Sequence, residues 1–243
     1  MKIILSLTLD KNNIVKDYAP SFLSFIKNAL SKYDLDLYNR IYGDENIHEK
    51  DFCFAVRFDK PNFTKEKDEI ILNSGNVKMI LCIYNSAEAI DFYNAFLAQK
   101  GKSYPFPKGN SIVIENVEIK NERKILSEQI IIKMTSPLLV RKHENGRDNY
   151  LTFCDDDFQK YFTMSLQKMF SNLGIGELNS SVDIIPFKPV KTVVNTFGNK
   201  ITGNVGLYIL RGDKEILTAL QSLGIGSRRS QGFGLFEVLQ EVR

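Results

Sequence analysis

The chain has 243 residues, 43% of them apolar, with 17 Phe, 10 Tyr and a formal net charge of +3. That is material for one large core or two domains of about 120 residues, and no run of about 18 apolar residues offers a membrane-spanning helix. Two histidines and three singly placed cysteines, Cys53, Cys82 and Cys154, with no Cys-x-x-Cys pair, point away from a transition-metal site or disulfide framework and towards buried thiols in a reducing cytoplasm.

In chain order, the opening "MKIILSLTLD" alternates Ile3, Leu5, Leu7 and Leu9 and reads as a strand. A leader peptide fits less well, because the apolar part stops at Asp10 without a small-residue cleavage site. Tyr18, Phe22, Ile26, Ala29, Leu30 and Tyr33 then recur at helical spacing. "FCFAVRF" (52–58) and "VKMILCIY" (77–84) follow as strands. Next comes a helix with Ser86 as its N-cap and Ile90, Tyr93, Phe96 and Leu97 as its apolar stripe, and "SIVIENVEI" (111–119) closes the unit. The order is βαββαβ, that of a ferredoxin-like or RRM-like sandwich.

Polar residues 121–124 read as a linker, and "EQIIIKM" (128–134) opens a second copy. Its first helix carries Phe158, Tyr161, Phe162, Ser165, Leu166 and Met169, with Asp155, Asp156 and Asp157 in the first turn, where negative charge suits the helix dipole. "KTVVNTF" and "ITGNVGLYIL" predict a hairpin turning at Gly198-Asn199. A helix over 213–223 and a strand over 233–239 complete the unit. The predicted fold class is α+β: two tandem ferredoxin-like domains, 1–122 and 123–243, with a glycine-rich loop near the C-terminal end.

That loop is "SLGIGSRRSQGFGLFEV" (222–238), which spaces Gly224-x-Gly226 five residues from Gly232-x-Gly234, with Arg228 and Arg229 between the pairs. Glycine permits positive φ or close approach of a ligand to the main chain, and guanidinium forks suit phosphate, so an anionic polymer is the natural ligand. The plainer reading is a helix cap at Gly224 and a strand bulge at Gly234. "NLGIGEL" (172–178) repeats the short motif without arginines, so only the longer pattern is informative. Residues 184–243 carry eight Lys or Arg against four Asp or Glu, which fits a nucleic-acid partner as well as a solvated basic face.

Two stretches together resemble one family. The glycine pattern at 224–234 is one, and "SPLLVRKHENGRDNYLTFCDDDFQKYFTMSLQKMF" (136–170) is the other. In this order and spacing they resemble the CRISPR-associated endoribonucleases that cut repeat RNA, the sixth Cas family, within the wider RAMP superfamily of repeat-associated RNA-binding proteins. The resemblance implies a metal-independent, cofactor-free cut in CRISPR repeat RNA that gives mature guide RNAs. The ribose 2′-hydroxyl attacks the adjacent phosphate and leaves a 2′,3′-cyclic phosphate and a 5′-hydroxyl. It also implies repeat RNA as partner, with other subunits of a CRISPR complex and a second copy of the chain left open.

Such chemistry needs a base for the 2′ proton, an acid for the 5′ oxygen and positive charge beside the phosphate. The resemblance places a histidine just after the first helix, which selects His48 in "YGDENIHEKDFCF", with Lys50 as the nearby lysine and Tyr33 as the helix-end tyrosine. Tyr33 also continues its helix's apolar face, as a core aromatic would; Tyr38 and Tyr42 are predicted in the loop that follows. Arg141, Arg228, Arg229 and Ser230 are the candidate RNA contacts, with Gly226 and Gly232 allowing the approach. Lys188 and Lys191 flank the second domain's hairpin, where duplex RNA or plain solubilisation would explain them. His143, in "RKHENGRDN", reads as a solvated loop residue. The alternatives are a noncatalytic repeat-RNA-binding subunit and, from another class, a nucleotide-using enzyme. The glycine loop lies between helix and strand and lacks a Gly-Lys-Ser/Thr ending, which argues against the second.

Overall fold

The structure, a computed structural model, describes residues 1–43, 49–63, 68–175 and 181–242. The N-terminal part runs β1 (Lys2–Leu9), β2 (Asn13–Val15), α1 (Ala19–Tyr33), α2 (Leu35–Tyr42), β3 (Phe52–Phe58), β4 (Asn62–Phe63), β5 (Glu69–Ile71), β6 (Asn76–Ile83), α3 (Ser86–Ala98), β7 (Ser103–Phe106) and β8 (Asn110–Lys120). The C-terminal part runs β9 (Gln129–Met134), β10 (Val140–Glu144), β11 (Arg147–Leu151), α4 (Phe158–Leu173), β12 (Asp183–Thr196), β13 (Asn199–Arg211), α5 (Lys214–Leu223) and β14 (Phe236–Glu241).

Each part builds an antiparallel sheet, ordered β3-β6-β1-β8-β7 and β12-β13-β9-β14. With β7 set aside, both place the unit's first strand between its third and fourth and its second at the far edge. This is the order a repeated βαββαβ chain requires, so the two ferredoxin-like units are present. α1 and α3 bury Phe22, Ile26, Leu30, Phe92 and Phe96 on Ile3, Leu5 and Leu7 of β1. In the second unit α4 and α5 bury Phe162, Leu166, Leu217 and Leu220 on Ile130, Ile132 and Leu210.

Both faces of β3 are buried, because the second unit covers the face its own helices do not. Phe52 and Phe54 belong to the helix-side core. Cys53 and Ala55 instead join Ile80, Cys82 and Leu235 in a separate cluster that crosses between the units. The β12–β13 hairpin makes a second crossing, where the Asp17 carboxylate accepts the amides of Phe197 (3.1 Å) and Gly198 (2.8 Å).

Several local expectations change. The hairpin pairs Thr196 with Asn199, so its turn is Phe197-Gly198, one residue earlier than predicted, and both turn residues have positive φ. Asn85, not Ser86, caps α3, accepting the amides of Ala87 (2.9 Å) and Glu88 (3.3 Å). The buried face of α3 is Ala89, Phe92, Ala95 and Phe96, while Ile90 and Leu97 are exposed, because the two small alanines let the helix sit close. Asp155–Asp157 precede α4 instead of forming its first turn; Asp155 accepts the amide (2.6 Å) and hydroxyl (2.8 Å) of Thr152. Tyr38 and Tyr42 lie on α2, not in a loop. No helix among the described residues is long and apolar enough to cross a membrane.

Candidate functional site

α5 stops at Gly224, whose amide still donates to Leu220 O at 2.8 Å. The glycine-rich loop then doubles back: the Ile225 amide donates to Gly234 O (2.9 Å), the Ser227 amide to Leu139 O (2.8 Å) and the Gly234 amide to Pro137 O (2.9 Å). The Leu235 amide donates to Ser136 Oγ at 3.0 Å. The two stretches that carried the family resemblance are thus stitched to each other in space. The amides of Ile225, Ser227, Gln231, Gly232 and Gly234 are thus bonded inside the protein and are not free for an anion.

The glycines answer to protein neighbours too. A Cβ on Gly226 would lie 2.5 Å from Leu138 Cδ1 and 2.6 Å from Leu139 O, and one on Gly232 would lie 3.0 Å from the Phe54 ring. The close approach that glycine permits is made by side chains and carbonyls of this chain, where a ligand had been expected. Ser230 sits half-buried in the 3-10 turn Arg229–Gln231 and does not itself line the groove described next.

The adjacent arginines part company. Arg228 adopts left-handed backbone (φ 58°), and its guanidinium carbon lies 5.5 Å from the Tyr150 ring centroid, on the groove side. Arg229, expected as a phosphate contact, is 2% exposed and bonded to Glu49, so solvent-borne phosphate cannot reach it.

Between the units runs a groove of ≈ 450 Å³. It is lined by Glu49 of the first unit and, from the second, by Arg141 and His143 of the β10–β11 hairpin, Tyr161, Met164, Ser165 and Lys168 of α4, and Gly226–Arg228 with Gln231 of the glycine-rich loop. Asn145 and Gly146, both with positive φ, turn the hairpin, which lifts His143 onto a strand beside the groove. His143 Nδ1 lies 2.6 Å from Asp148 Oδ1, and Arg141 Nη1 lies 3.4 Å from Asp148 Oδ2. The His143 bond first, then the Arg141 charge, hold the Asp148 carboxyl below the usual aspartate range. Tyr161 donates its hydroxyl to Glu144 at 2.6 Å, and Lys142 donates to Asp157 at 2.9 Å, which braces the hairpin on α4. Sequence reasoning missed Lys168; its seven-residue spacing from Tyr161, with Met164 and Ser165 between, was the available signal.

A smaller pocket of ≈ 230 Å³ is lined by Arg40, Glu49, Lys50, Asp51, Glu88 and Leu173, drawing on both units. His48 lies outside the described residues. The Lys50 ammonium stands 5.6 Å from the Tyr42 ring centroid, and that of Lys27, on α1, stands 4.6 Å from it. Burial, then the Lys27 charge, lower the Lys50 pKa. The buried Tyr42 hydroxyl has no hydrogen-bond partner among the described residues, and burial pushes its pKa up. Burial and the nearby Asp51 carboxyl push Glu88 up to about 7. Tyr33 is 41% exposed and lines neither the groove nor the pocket, so it is not a core aromatic, and Tyr42 is the tyrosine Lys50 faces. Lys27, on α1 and outside every motif read from the sequence, gave no signal before folding. Lys188 and Lys191 lie on the edge strand β12, outside the groove lining; the Lys188 ammonium is 5.7 Å from the Phe187 ring. Among the described residues no three His, Cys, Asp or Glu side chains converge as metal ligands.

Two ferredoxin-like units locked together by a glycine-rich loop, with a cation-bearing groove beside it, define a protein of tandem ferredoxin-like fold. Solved structures share this fold. One is described as a RAMP protein binding different RNA substrates (TM-score 0.83, 17% identity, 99% of this chain and 100% of that chain covered). Another is the product of a Cas6-related gene from Pyrococcus furiosus (TM-score 0.81, 17% identity, 100% and 99% covered). A third is a Cas6 product complex from Thermus thermophilus (TM-score 0.69, 16% identity, 98% and 99% covered). No curated protein sequence matches the chain. Residues 120–238 match the family model of the CRISPR-associated protein Cas6, C-terminal. Over those residues the chain carries the C-terminal domain of the Cas6 family.

Proposed function

We propose that this chain is an endoribonuclease that cuts CRISPR repeat RNA in precursor transcripts to give mature guide RNAs. One observation carries the reading: Arg141, Lys168 and Arg228 line a groove that Glu49 shares with a second pocket, and at the next residue the Lys50 ammonium shares the Tyr42 ring with that of Lys27. Residues 1–122 act as the domain of the chemistry and 123–243 as the domain that holds RNA. Arg141 and Arg228 contact backbone phosphates along the groove, and Lys188 and Lys191 meet only RNA that extends past it.

The cut is metal-independent attack of a ribose 2′-hydroxyl on its own phosphate. The 2′ O–P bond forms, the P–O5′ bond breaks, and the products are a 2′,3′-cyclic phosphate and a 5′-hydroxyl. His48 transfers a proton, and the lysine pair supports the phosphorane charge. A lysine whose pKa is lowered by burial also gives up its proton more readily than an exposed one, which suits donation to the leaving oxygen. His143 is an imidazole on the groove, with Asp148 to orient it.

The test is cleavage of end-labelled repeat RNA in EDTA by wild type, His48→Ala and His143→Ala, with a substrate carrying a 2′-deoxy ribose just before the cut. Wild type should cut once and His143→Ala should cut as well, whereas His48→Ala and the deoxy substrate should bind and stay intact. Loss in His143→Ala alone moves the chemistry to the second unit. Cutting of the deoxy substrate, or arrest by EDTA, rejects the mechanism. Binding without any cut identifies a noncatalytic repeat-RNA-binding subunit instead.

A further inference from the structure

Of the two arginines in the glycine-rich loop, one faces the groove and the other is spent inside. We infer that Arg229 is a positioning residue that clamps the Glu49–Lys50 segment to the loop, so that the groove and the Lys50 side chain keep one relative geometry; the effect on cleavage rests on the function proposed above.

Arg229 is 2% exposed. Its Nη2 donates to Glu49 Oε1 at 2.8 Å and to the Lys50 carbonyl at 3.0 Å, and its Nη1 donates to the Leu223 carbonyl at the end of α5. A guanidinium can serve these separately placed acceptors at once because its donors are fixed in one plane, which a lysine ammonium cannot copy. The Glu49 bond alone would only neutralise a buried charge. The bond to the Lys50 carbonyl does more, because it fixes the main chain of the residue whose ammonium sits at Tyr42. Glu49 itself lines both the groove and the smaller pocket, so through it Arg229 ties the glycine-rich loop to both. The left-handed turn at Arg228 is what lets neighbouring residues do both jobs.

The experiment uses the full chain with Glu49→Gln and Arg229→Lys, read three ways. The first is the single-turnover cleavage rate at saturating protein, the second affinity for the 2′-deoxy repeat, and the third amide exchange over residues 50–52. Glu49→Gln should cut about ten- to a hundredfold more slowly, the scale of a reacting group displaced by about an ångström. Its affinity should be equal to wild type or tighter, since a negative charge leaves the groove, and exchange should be faster. The double variant should be no slower than the slower single, since both break one unit. A folded Glu49→Gln with wild-type rate and wild-type exchange overturns the inference, as does a lowered melting temperature with an unchanged rate where the variant is folded. If Arg229→Lys fails to fold, Glu49→Gln decides. If wild type itself does not cut, the proposed function fails, and exchange over 50–52 still decides the clamp.

Discussion

The same connection, from a unit's second helix to its last strand, is built in two opposite ways. In the first unit the chain from α3 to β8 spends its length on β7, an added edge strand, and a Cβ on Gly101 (φ +74°) would meet nothing within 4 Å. In the second, between α5 and β14, Gly224, Gly226, Gly232 and Gly234 also have positive φ, but added Cβ atoms would approach neighbours to 2.9, 2.5, 3.0 and 1.9 Å. One loop uses glycine to turn in open solvent. The other uses it to let backbone pack on backbone while the two units close on each other. Glycine count alone does not separate these uses; what stands against the missing side chain does.

The sharpest way to break this comparison is Gly234→Ala, which puts a methyl group 1.9 Å from Ile225 O in a left-handed backbone. Strain and clash together should cost about 2–5 kcal/mol in urea unfolding followed by circular dichroism. Gly101→Ala meets only the backbone term, about 1 kcal/mol. Equal losses at the two sites would end the distinction.

The helices that lead into the two connections differ as well. Glu88 and Glu215 both occupy a first turn, but Glu88 is partly buried beside Asp51, whereas Glu215 is exposed. With its pKa raised to about 7, Glu88 holds its proton more tightly in the folded chain than in the unfolded one. Its contribution is therefore full below about pH 4 and is lost as pH rises to about 7. Glu88→Gln should flatten that fall and leave the protein on the order of 1–3 kcal/mol more stable than wild type near pH 8. Glu215→Gln removes an exposed first-turn carboxylate and should cost no more than about 1 kcal/mol. Thermal unfolding across pH reads both.

Arg228 tests whether the packed loop also binds. Arg228→Ala should weaken repeat-RNA affinity about five- to tenfold and lower the salt dependence by about one unit of slope, without loss of stability. The smallest effect is expected on β12: Lys191→Ala should leave affinity within about twofold, the size of an exposed charge off the binding path. A larger loss at Lys191 than at Arg228 would move the RNA from the groove to the hairpin.

The legible part of the molecule was its periodic part. β1, α1, β3, β6, α4 and α5 followed from the spacing of apolar residues, because a strand or helix writes its buried face into positions two or three to four apart. Phase was less secure: on α3 the stripe through Ile90 and Leu97 gave way to one through Ala89 and Ala95, since close helix approach selects small residues over large ones. β7 and α2 were missed because one is four residues long and the other follows directly on α1 through the single cap residue Asp34. Of the site, Arg141, Arg228 and Lys50 were found from local motifs, whereas Lys27, Tyr42 and Lys168 came from elements that only packing brings together.

The sequence by itself determined two βαββαβ units, their order, and the pair of stretches that belong to the Cas6 family, since each of these is written in residues close together along the chain. Only the tertiary structure decided that those stretches meet, that Tyr42 and not Tyr33 faces Lys50, and that Arg228 reaches the groove while Arg229 is buried against Glu49. Neighbouring residues share a sequence context but not an environment: a left-handed φ at Arg228 turns the chain between them, so Arg228 meets Tyr150 while Arg229 meets Glu49, 180 residues away.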